Sequence, residues 1–189
     1  MGALKDCEAV VHVLFGQPVN SVTTAAFLIG GALVIWRSDR TWVGIASIAT
    51  GVGSFLFHGP MPPYSEWVHD FTLAWLLLVV ASHGRRWERW ARLPGLLVVA
   101  ALIAIPGTGD PIGIALATLA IVLLVMRDRS LSTLGPLTLL IVVAIIGRLG
   151  ATGGPLCDPH SLWQPHGLWH VGSALAVTWW ALATRQGRV

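Results

Sequence analysis

Seven long apolar runs, separated by short polar breaks, dominate this sequence. A membrane-spanning helix needs about 20 predominantly apolar residues to cross a hydrocarbon layer of about 30 Å. Only 11% of the residues are charged, against about 25% in a typical soluble domain. We therefore predict an all-α membrane protein, a seven-transmembrane helix bundle formed by one domain over residues 1–189. The predicted spans lie near residues 19–36, 41–58, 66–83, 93–106, 111–126, 133–150 and 166–184.

The fourth and fifth runs are short for a complete crossing. Arginine clusters precede the fourth run, at 85–92, and follow the fifth, at Arg127 and Arg129. If both clusters face the cytoplasm, an even number of crossings separates them, and two short or tilted spans meet this condition. A re-entrant pair of helices is the alternative.

The basic residues orient the bundle, because cytoplasmic loops of membrane proteins are enriched in Lys and Arg. Ten of the twelve basic residues fall in breaks on one side, and the other two are Lys5 and Arg148. We predict the N-terminus outside and the C-terminus in the cytoplasm. Short loops and the preference for Arg over Lys favour a bacterial inner membrane. The basic residues form no continuous face, so neither a nucleic-acid partner nor an obligate protein partner is predicted.

Polar residues inside the spans are the candidate functional residues, since an ionisable group in a membrane helix is costly and usually faces the bundle interior. His58 ends the second run, Asp70 begins the third, and His166 and His170 begin the seventh. Ser54 lies one helical turn before His58, on the same helix face. All five lie toward the outer ends of their helices and can meet at one depth.

The histidine spacing predicts a metal site. His166 and His170 stand at i and i+4, which places both imidazoles on one helix face. With His58 they offer three nitrogen ligands and an open position, the arrangement of a catalytic zinc site. Zinc lowers the pKa of bound water to about 7, and Asp70 is the candidate residue to orient that water and move its proton.

Each of these residues also has a structural interpretation. A histidine pair at this spacing arises by chance, an Asp at a helix start can cap the helix, and Ser54 can bond back to the carbonyl four residues earlier. The convergence of three signals at one depth favours the metal site. His69 competes with Asp70, but it points about 100° around the helix, and we expect it to support the ligands.

The pattern S-x-x-x-H in one span, Asp in the next and H-x-x-x-H in the last resembles the hydrolase superfamily that contains the alkaline ceramidases and the adiponectin and progestin receptors. Within that superfamily the alkaline ceramidases are the most similar. This closer resemblance is carried by Asp6-Cys7-Glu8, Asn20, Cys157 and the segment HGLWH.

The resemblance implies a seven-helix intramembrane amidase with zinc on His58, His166 and His170. It also implies that Asp70 acts on the zinc-bound water and that Ser54 helps to hold the carbonyl oxygen. The implied substrate is ceramide or a related N-acyl lipid, cleaved to a long-chain amine and a fatty acid.

The resemblance further implies a calcium site near the first helix, at Asp6, Glu8 and Asn20. Gln17 stands where the family usually has Glu, and the loss of a carboxylate weakens such an oxygen cage. The loop between His58 and the third run is also one residue longer than usual, and we expect the proline-rich loop to absorb the difference.

Cys7 and Cys157 are the two cysteines of the chain. Both are predicted outside, where an oxidising compartment permits a disulfide, and the family resemblance agrees with this pairing. Two unpaired cysteines in apolar contact are the alternative. A disulfide would hold the N-terminal arm and the last outer loop over the site.

Other functions fit parts of the pattern. The main alternative is a seven-helix lipid receptor or sensor that keeps the metal site with little turnover. A haem protein would need two facing histidines on separate helices, and a transporter would show repeated halves, which the sequence lacks. Arg148 is expected to neutralise Asp158 or Glu66, or to hold a lipid headgroup.

Overall fold

The computed structural model describes residues 5–11 and 14–183. Within these ranges the regular secondary structure is helical, without β-strands, as predicted. Thr184, the last residue of the predicted seventh span, lies outside the described residues, as do the basic residues Arg185 and Arg188. The described helices are α1 (Pro18–Thr23), α2 (Ala25–Arg37), α3 (Thr41–His58), α4 (Ser65–Ser82), α5 (Glu88–Ala91), α6 (Leu93–Ile103), α7 (Gly109–Arg127), α8 (Leu131–Leu149) and α9 (Pro165–Ala183).

Four helical stretches in the described chain are long and apolar enough to cross a membrane. α4 and α9 are of similar length, with 18 and 19 residues, and they carry polar residues of the candidate site. The all-helical fold is therefore confirmed, with four helices that could span a membrane, while seven crossings and the direction of the termini stay predictions. The four stretches are Pro18–Arg37, which comprises α1 and α2, Thr41–His58, Gly109–Arg127 and Leu131–Leu149.

The fourth and fifth predicted runs differ in length. α6 has 11 residues, about 16 Å of helix, which is shorter than the hydrocarbon layer of about 30 Å. It ends at Ile103, and the following turn contains Gly107 at a φ of 81°, a conformation that favours glycine. α7 begins at Gly109, two residues before the predicted run, because Pro111 in the first helical turn needs no N–H partner.

The packing of the helices leaves a space on one side of the bundle. α3 packs between α2 and α4, and α9 packs against α2 and α8. α2 and α3 approach closely at Gly31 and Gly44. A Cβ added to either glycine would lie 2.6 Å from the carbonyl oxygen of the other. Small residues allow such close approach of helices in membranes. α7 packs on α4 but touches α8 little. A cavity therefore remains between α4, α7, α8 and α9.

The segment before α1 is joined to the loop between α8 and α9. Cys7 and Cys157 form a disulfide, which confirms the predicted pairing. The Ala9 N–H donates to the Pro159 carbonyl oxygen at 2.9 Å, and the Thr152 N–H donates to a carbonyl of the same N-terminal segment at 2.8 Å. This N-terminal arm, residues 5–11, thereby lies against the loop that leads into α9.

Candidate metal centre

Three histidines meet where the C-terminal end of α3 lies beside the N-terminal end of α9. His58 is the last residue of α3, and His166 and His170 lie in the first two turns of α9. Their ring centroids are 4.6–5.0 Å apart, and one ligand nitrogen from each lies within 4.8 Å of the others. The predicted grouping of these three side chains is confirmed, and together they could hold a metal ion.

Each of the three rings has an oxygen near its Nδ1, and two of these contacts are hydrogen bonds. The two hydrogen-bonded oxygens belong to Gln17 and Asn20, and the third oxygen belongs to the N-terminal arm, so the rings are held from outside the cluster. The contacts are His58 Nδ1 to Gln17 Oε1 at 2.6 Å, His166 Nδ1 to Asp6 Oδ1 at 3.3 Å, and His170 Nδ1 to the Asn20 carbonyl oxygen at 3.2 Å.

These acceptors determine where the ring protons lie. A carbonyl oxygen accepts and cannot donate, so the Asn20 carbonyl requires a proton on His170 Nδ1. The Gln17 amide is oriented by its own nitrogen, which donates to the Glu8 carbonyl oxygen at 2.9 Å, and its oxygen is left to accept from His58. A neutral imidazole protonated at Nδ1 carries its lone pair on Nε2.

The Nε2 atoms of the three histidines are buried and lack a hydrogen-bond partner within residues 5–11 and 14–183. Lone pairs that are buried together without a donor are costly. A metal cation would satisfy all three nitrogens at once, and hydrogen bonds at the opposite ring nitrogen are the usual support of metal-bound histidine. The donor set therefore fits the predicted zinc ion.

Asp6 supports the cluster from the N-terminal arm. Burial raises the pKa of its carboxyl group to about 7, although the charges of His69 and Lys5 act in the opposite direction. The Asp6 Oδ1 lies 3.3 Å from the Nδ1 of His166. Asp6 thus lies beside a candidate metal ligand.

Glu8 and Asn20 have separate structural roles. The Glu8 carboxylate accepts the N–H groups of Val19 and Asn20 at 2.6 and 2.8 Å, and so caps the first turn of α1. Asn20 contributes its carbonyl oxygen to His170. The implied calcium site at Asp6, Glu8 and Asn20 stays a prediction.

His69 and Asp70 form a hydrogen-bonded pair at the edge of the cluster. The His69 Nδ1 and the Asp70 Oδ1 are 2.9 Å apart. The His69 ring stacks on Phe57 at a centroid distance of 4.8 Å and is perpendicular to His58 at 6.1 Å. His69 therefore contacts a metal ligand, whereas Asp70 contacts His69 and also faces Gly109 on α7.

Ser54 lies one turn before His58 and is buried. Ser47 and Thr50 on the same helix donate to the carbonyls four residues earlier, both at 2.9 Å. No such bond is formed by the Ser54 hydroxyl among residues 5–11 and 14–183.

A largely apolar cavity of about 650 Å³ lies next to the cluster, between α4, α7, α8 and α9. This volume is within the range of about 300–1,000 Å³ typical of small-molecule sites. At one end its lining includes His69, Asp70 and Arg148, and it continues from Trp169 to Trp180 along α9. That length corresponds to about 16 Å, close to half of a hydrocarbon layer of about 30 Å.

Sequence reasoning did not identify the acceptors that hold the rings. Gln17 and Thr23 were not selected, although Thr23 Oγ1 lies 3.1 Å from His170 Nδ1. Gln17, Asn20 and Thr23 recur every three residues, a spacing that puts them near one helix face. This polar stripe is the signal that could have indicated them.

Comparison with known proteins supplies no family for the chain. No protein-family model, curated protein or solved structure matches it.

Proposed function

We propose that this protein is a zinc-dependent hydrolase that cleaves the amide bond of an N-acyl lipid within the membrane. The observation that carries the proposal is the convergence of three buried Nε2 atoms that lack a hydrogen-bond partner among the described residues. Nδ1 has an acceptor in His58 and His170, and the Asp6 carboxylate lies 3.3 Å from Nδ1 of His166. His58, His166 and His170 would hold the metal. Bound zinc would supply Lewis-acid activation of water and of a carbonyl group.

Proton transfer is assigned to the His69–Asp70 pair. Asp70 accepts the Nδ1 proton of His69 and orients the ring, which leaves Nε2 of His69 to take a proton from water and return it to the departing amine. This refines the expectation from sequence, in which Asp70 performs this transfer directly. Removing either residue should lower turnover more than it lowers metal content.

Ser54 is assigned to the carbonyl oxygen of the substrate. Its buried hydroxyl lies one turn from His58 and would donate a hydrogen bond as negative charge develops on that oxygen. The loss of one such donor typically lowers turnover by about 10²–10³-fold.

The cavity supports a lipid substrate. Its apolar length of about 16 Å along α9 matches the depth of one leaflet, and its polar end contains His69 and Asp70. An acyl chain would occupy the apolar part while the amide lies at the polar end. The choice of an amide, and of ceramide as one candidate substrate, comes from the resemblance to the alkaline ceramidases.

The test is to measure metal and turnover on the same purified protein. We expect about one zinc per chain and hydrolysis of at least one member of a panel of ceramides and other N-acyl lipids. The His58→Ala variant should lose both the bound zinc and the turnover. The control is His160→Ala, which changes an exposed histidine in the loop before α9.

The outcomes separate the candidate functions. One zinc per chain without turnover on any panel member would overturn the hydrolase proposal and favour a lipid receptor or sensor with the same site. Protein that binds no zinc under any loading condition would contradict the metal centre itself. We also propose that the site faces the outer side of a bacterial inner membrane.

A further inference from the structure

Arg148 is a charged residue near the end of a membrane helix for which the fold provides no counter-ion. It lies one residue before the end of α8 and is exposed. Among residues 5–11 and 14–183, no carboxylate lies within 4.0 Å of its guanidinium, so the expected pairing with Asp158 or Glu66 is absent. A guanidinium at membrane depth is costly unless an anion accompanies it.

The position of Arg148 along the bundle is set by its neighbours. A Cβ at Gly147 would lie 3.2 Å from Trp169 Cβ and 4.0 Å from the Pro165 carbonyl oxygen. The C-terminal end of α8 therefore lies beside the first turns of α9, which carry His166 and His170. Arg148 is thus at the depth of the metal centre.

Arg148 also shares a cavity with the proposed proton-transfer pair. The lining that contains His69 and Asp70 includes Arg148, which is the one permanent cation that the described part of the chain places there. Asp70 already forms a hydrogen bond with His69. Asp110, the other acidic lining residue, lies in the first turn of α7, where the helix dipole stabilises a carboxylate. Arg148 is left as the cation that can bind a ligand in the cavity.

We propose that the lipid bound in this cavity carries an anionic group, a carboxylate or a phosphate, next to its amide, and that Arg148 binds this group. A guanidinium forms paired, charge-assisted hydrogen bonds with such oxygens. A neutral ceramide headgroup offers no such partner. This inference rests on the proposed function, because it names the substrate class of the same site.

A binding experiment tests the inference without requiring turnover. The first pair of probes consists of two analogues of N-palmitoylglycine in which a methylene group replaces the amide nitrogen. One analogue ends in the carboxylate, and the other ends in a neutral carboxamide. The second pair is palmitoylethanolamide with and without a phosphate on its hydroxyl. Dissociation constants are measured in neutral detergent on metal-loaded wild type, Arg148→Gln and Arg148→Lys.

The expected result is preference for an anion that depends on Arg148. Wild type should bind the anionic member of at least one pair about tenfold more tightly than its neutral partner. Arg148→Gln should lose this preference, and Arg148→Lys should keep part of it. The pair whose anionic member binds more tightly shows whether the site prefers a carboxylate or a phosphate. The control is Arg129→Gln, in the loop between α7 and α8, which should retain the full preference, and an unchanged metal content verifies the fold of each variant.

Equal binding of anionic and neutral members of both pairs by wild type would overturn the inference, as would a preference that persists in Arg148→Gln. Hydrolysis of ceramide without any preference for anionic lipids would leave the proposed hydrolase in place and remove Arg148 from substrate recognition. Anion-selective binding without turnover would support Arg148 and contradict the hydrolase.

Discussion

At the scale of single residues, the geometry of the candidate metal centre depends on groups outside the three histidines. The rings of His58 and His170 are oriented by an amide oxygen of Gln17 and a backbone carbonyl of Asn20. These acceptors select one tautomer and hold each Nε2 toward the centre of the cluster. Partners of this kind commonly contribute about 10–100-fold to metal affinity.

Gln17→Leu should weaken metal binding while leaving the fold intact. It removes the oxygen that accepts from His58 Nδ1, and we expect a loss of about 10–100-fold in zinc affinity, measured by competition with a chelator. The matched control is Gln164→Leu, another buried glutamine, whose amide donates to the Asp158 and Ser161 carbonyls. Equal zinc affinity in the two variants would contradict the role of Gln17.

A second prediction concerns the space that Asp70 occupies. A Cβ at Gly109 would overlap the Asp70 carboxylate, whereas a Cβ at Gly113, one turn later on α7, would meet nothing within 4 Å. Gly109→Ala should therefore displace Asp70 and lower kcat about tenfold or more, with unchanged zinc content. Gly113→Ala should keep full activity. Equal kcat values for the two variants would show that the position of Asp70 does not matter.

At the scale of elements, the site is assembled from segments distant in the chain. α3 contributes its last residue and α9 its first turns. The N-terminal arm brings Asp6 to His166 and Glu8 to the start of α1. The arm thereby connects α1 and α9 beside the cluster.

Reduction of the disulfide should loosen this connection. The Cys7–Cys157 bond closes a separation of 150 residues, and disulfides contribute about 2–5 kcal/mol. For a chain of this size, we expect reduction to lower the midpoint of thermal unfolding by about 5–15 °C and to weaken zinc binding. Circular dichroism with and without reductant measures the first effect, and chelator competition the second.

The double variant Cys7→Ala/Cys157→Ala is the control for this experiment, because its midpoint should not respond to the reductant. A wild-type midpoint and zinc affinity that stay constant on reduction would show that the arm holds its place without the disulfide.

At the scale of the whole molecule, the metal centre and the cavity share one end of the bundle. The start of α4, the start of α7, the end of α8 and the start of α9 lie together there, as contacts of Asp70 with Gly109 and of Gly147 with Trp169 indicate. Basic residues concentrate near the opposite ends of these helices, at Arg127 and in the 85–92 segment. The charge distribution therefore predicts that the site faces outward.

Labelling of single cysteines tests this orientation. In intact cells, a membrane-impermeant maleimide should label Ser161→Cys, in the loop before α9, whereas Arg129→Cys, in the loop between α7 and α8, should react only after permeabilisation. The native cysteines are joined to each other and should not react. Labelling of both positions from the same side would contradict an odd number of crossings between them and the predicted topology.

Much of this molecule follows from local pattern. Apolar runs indicate helices of membrane length, and the i, i+4 spacing places His166 and His170 on one face. Composition also indicates that few ionisable groups lie within the spans, which is why His58 could be selected. These inferences succeed because they depend on hydrophobicity and helical periodicity within one segment.

Other features were decided only by the tertiary structure. Periodicity states which face of a helix a residue occupies, but not which neighbouring segment covers that face. The acceptor roles of Gln17 and Asp6, the position of His69 between Asp70 and the cluster, and the exposure of Arg148 to the cavity all depend on that choice of neighbour. The sequence by itself determined the helices and the three candidate metal ligands. The packing decided which groups orient those side chains and which cavity lies beside them, because hydrogen bonds and cavities arise between segments far apart in the chain.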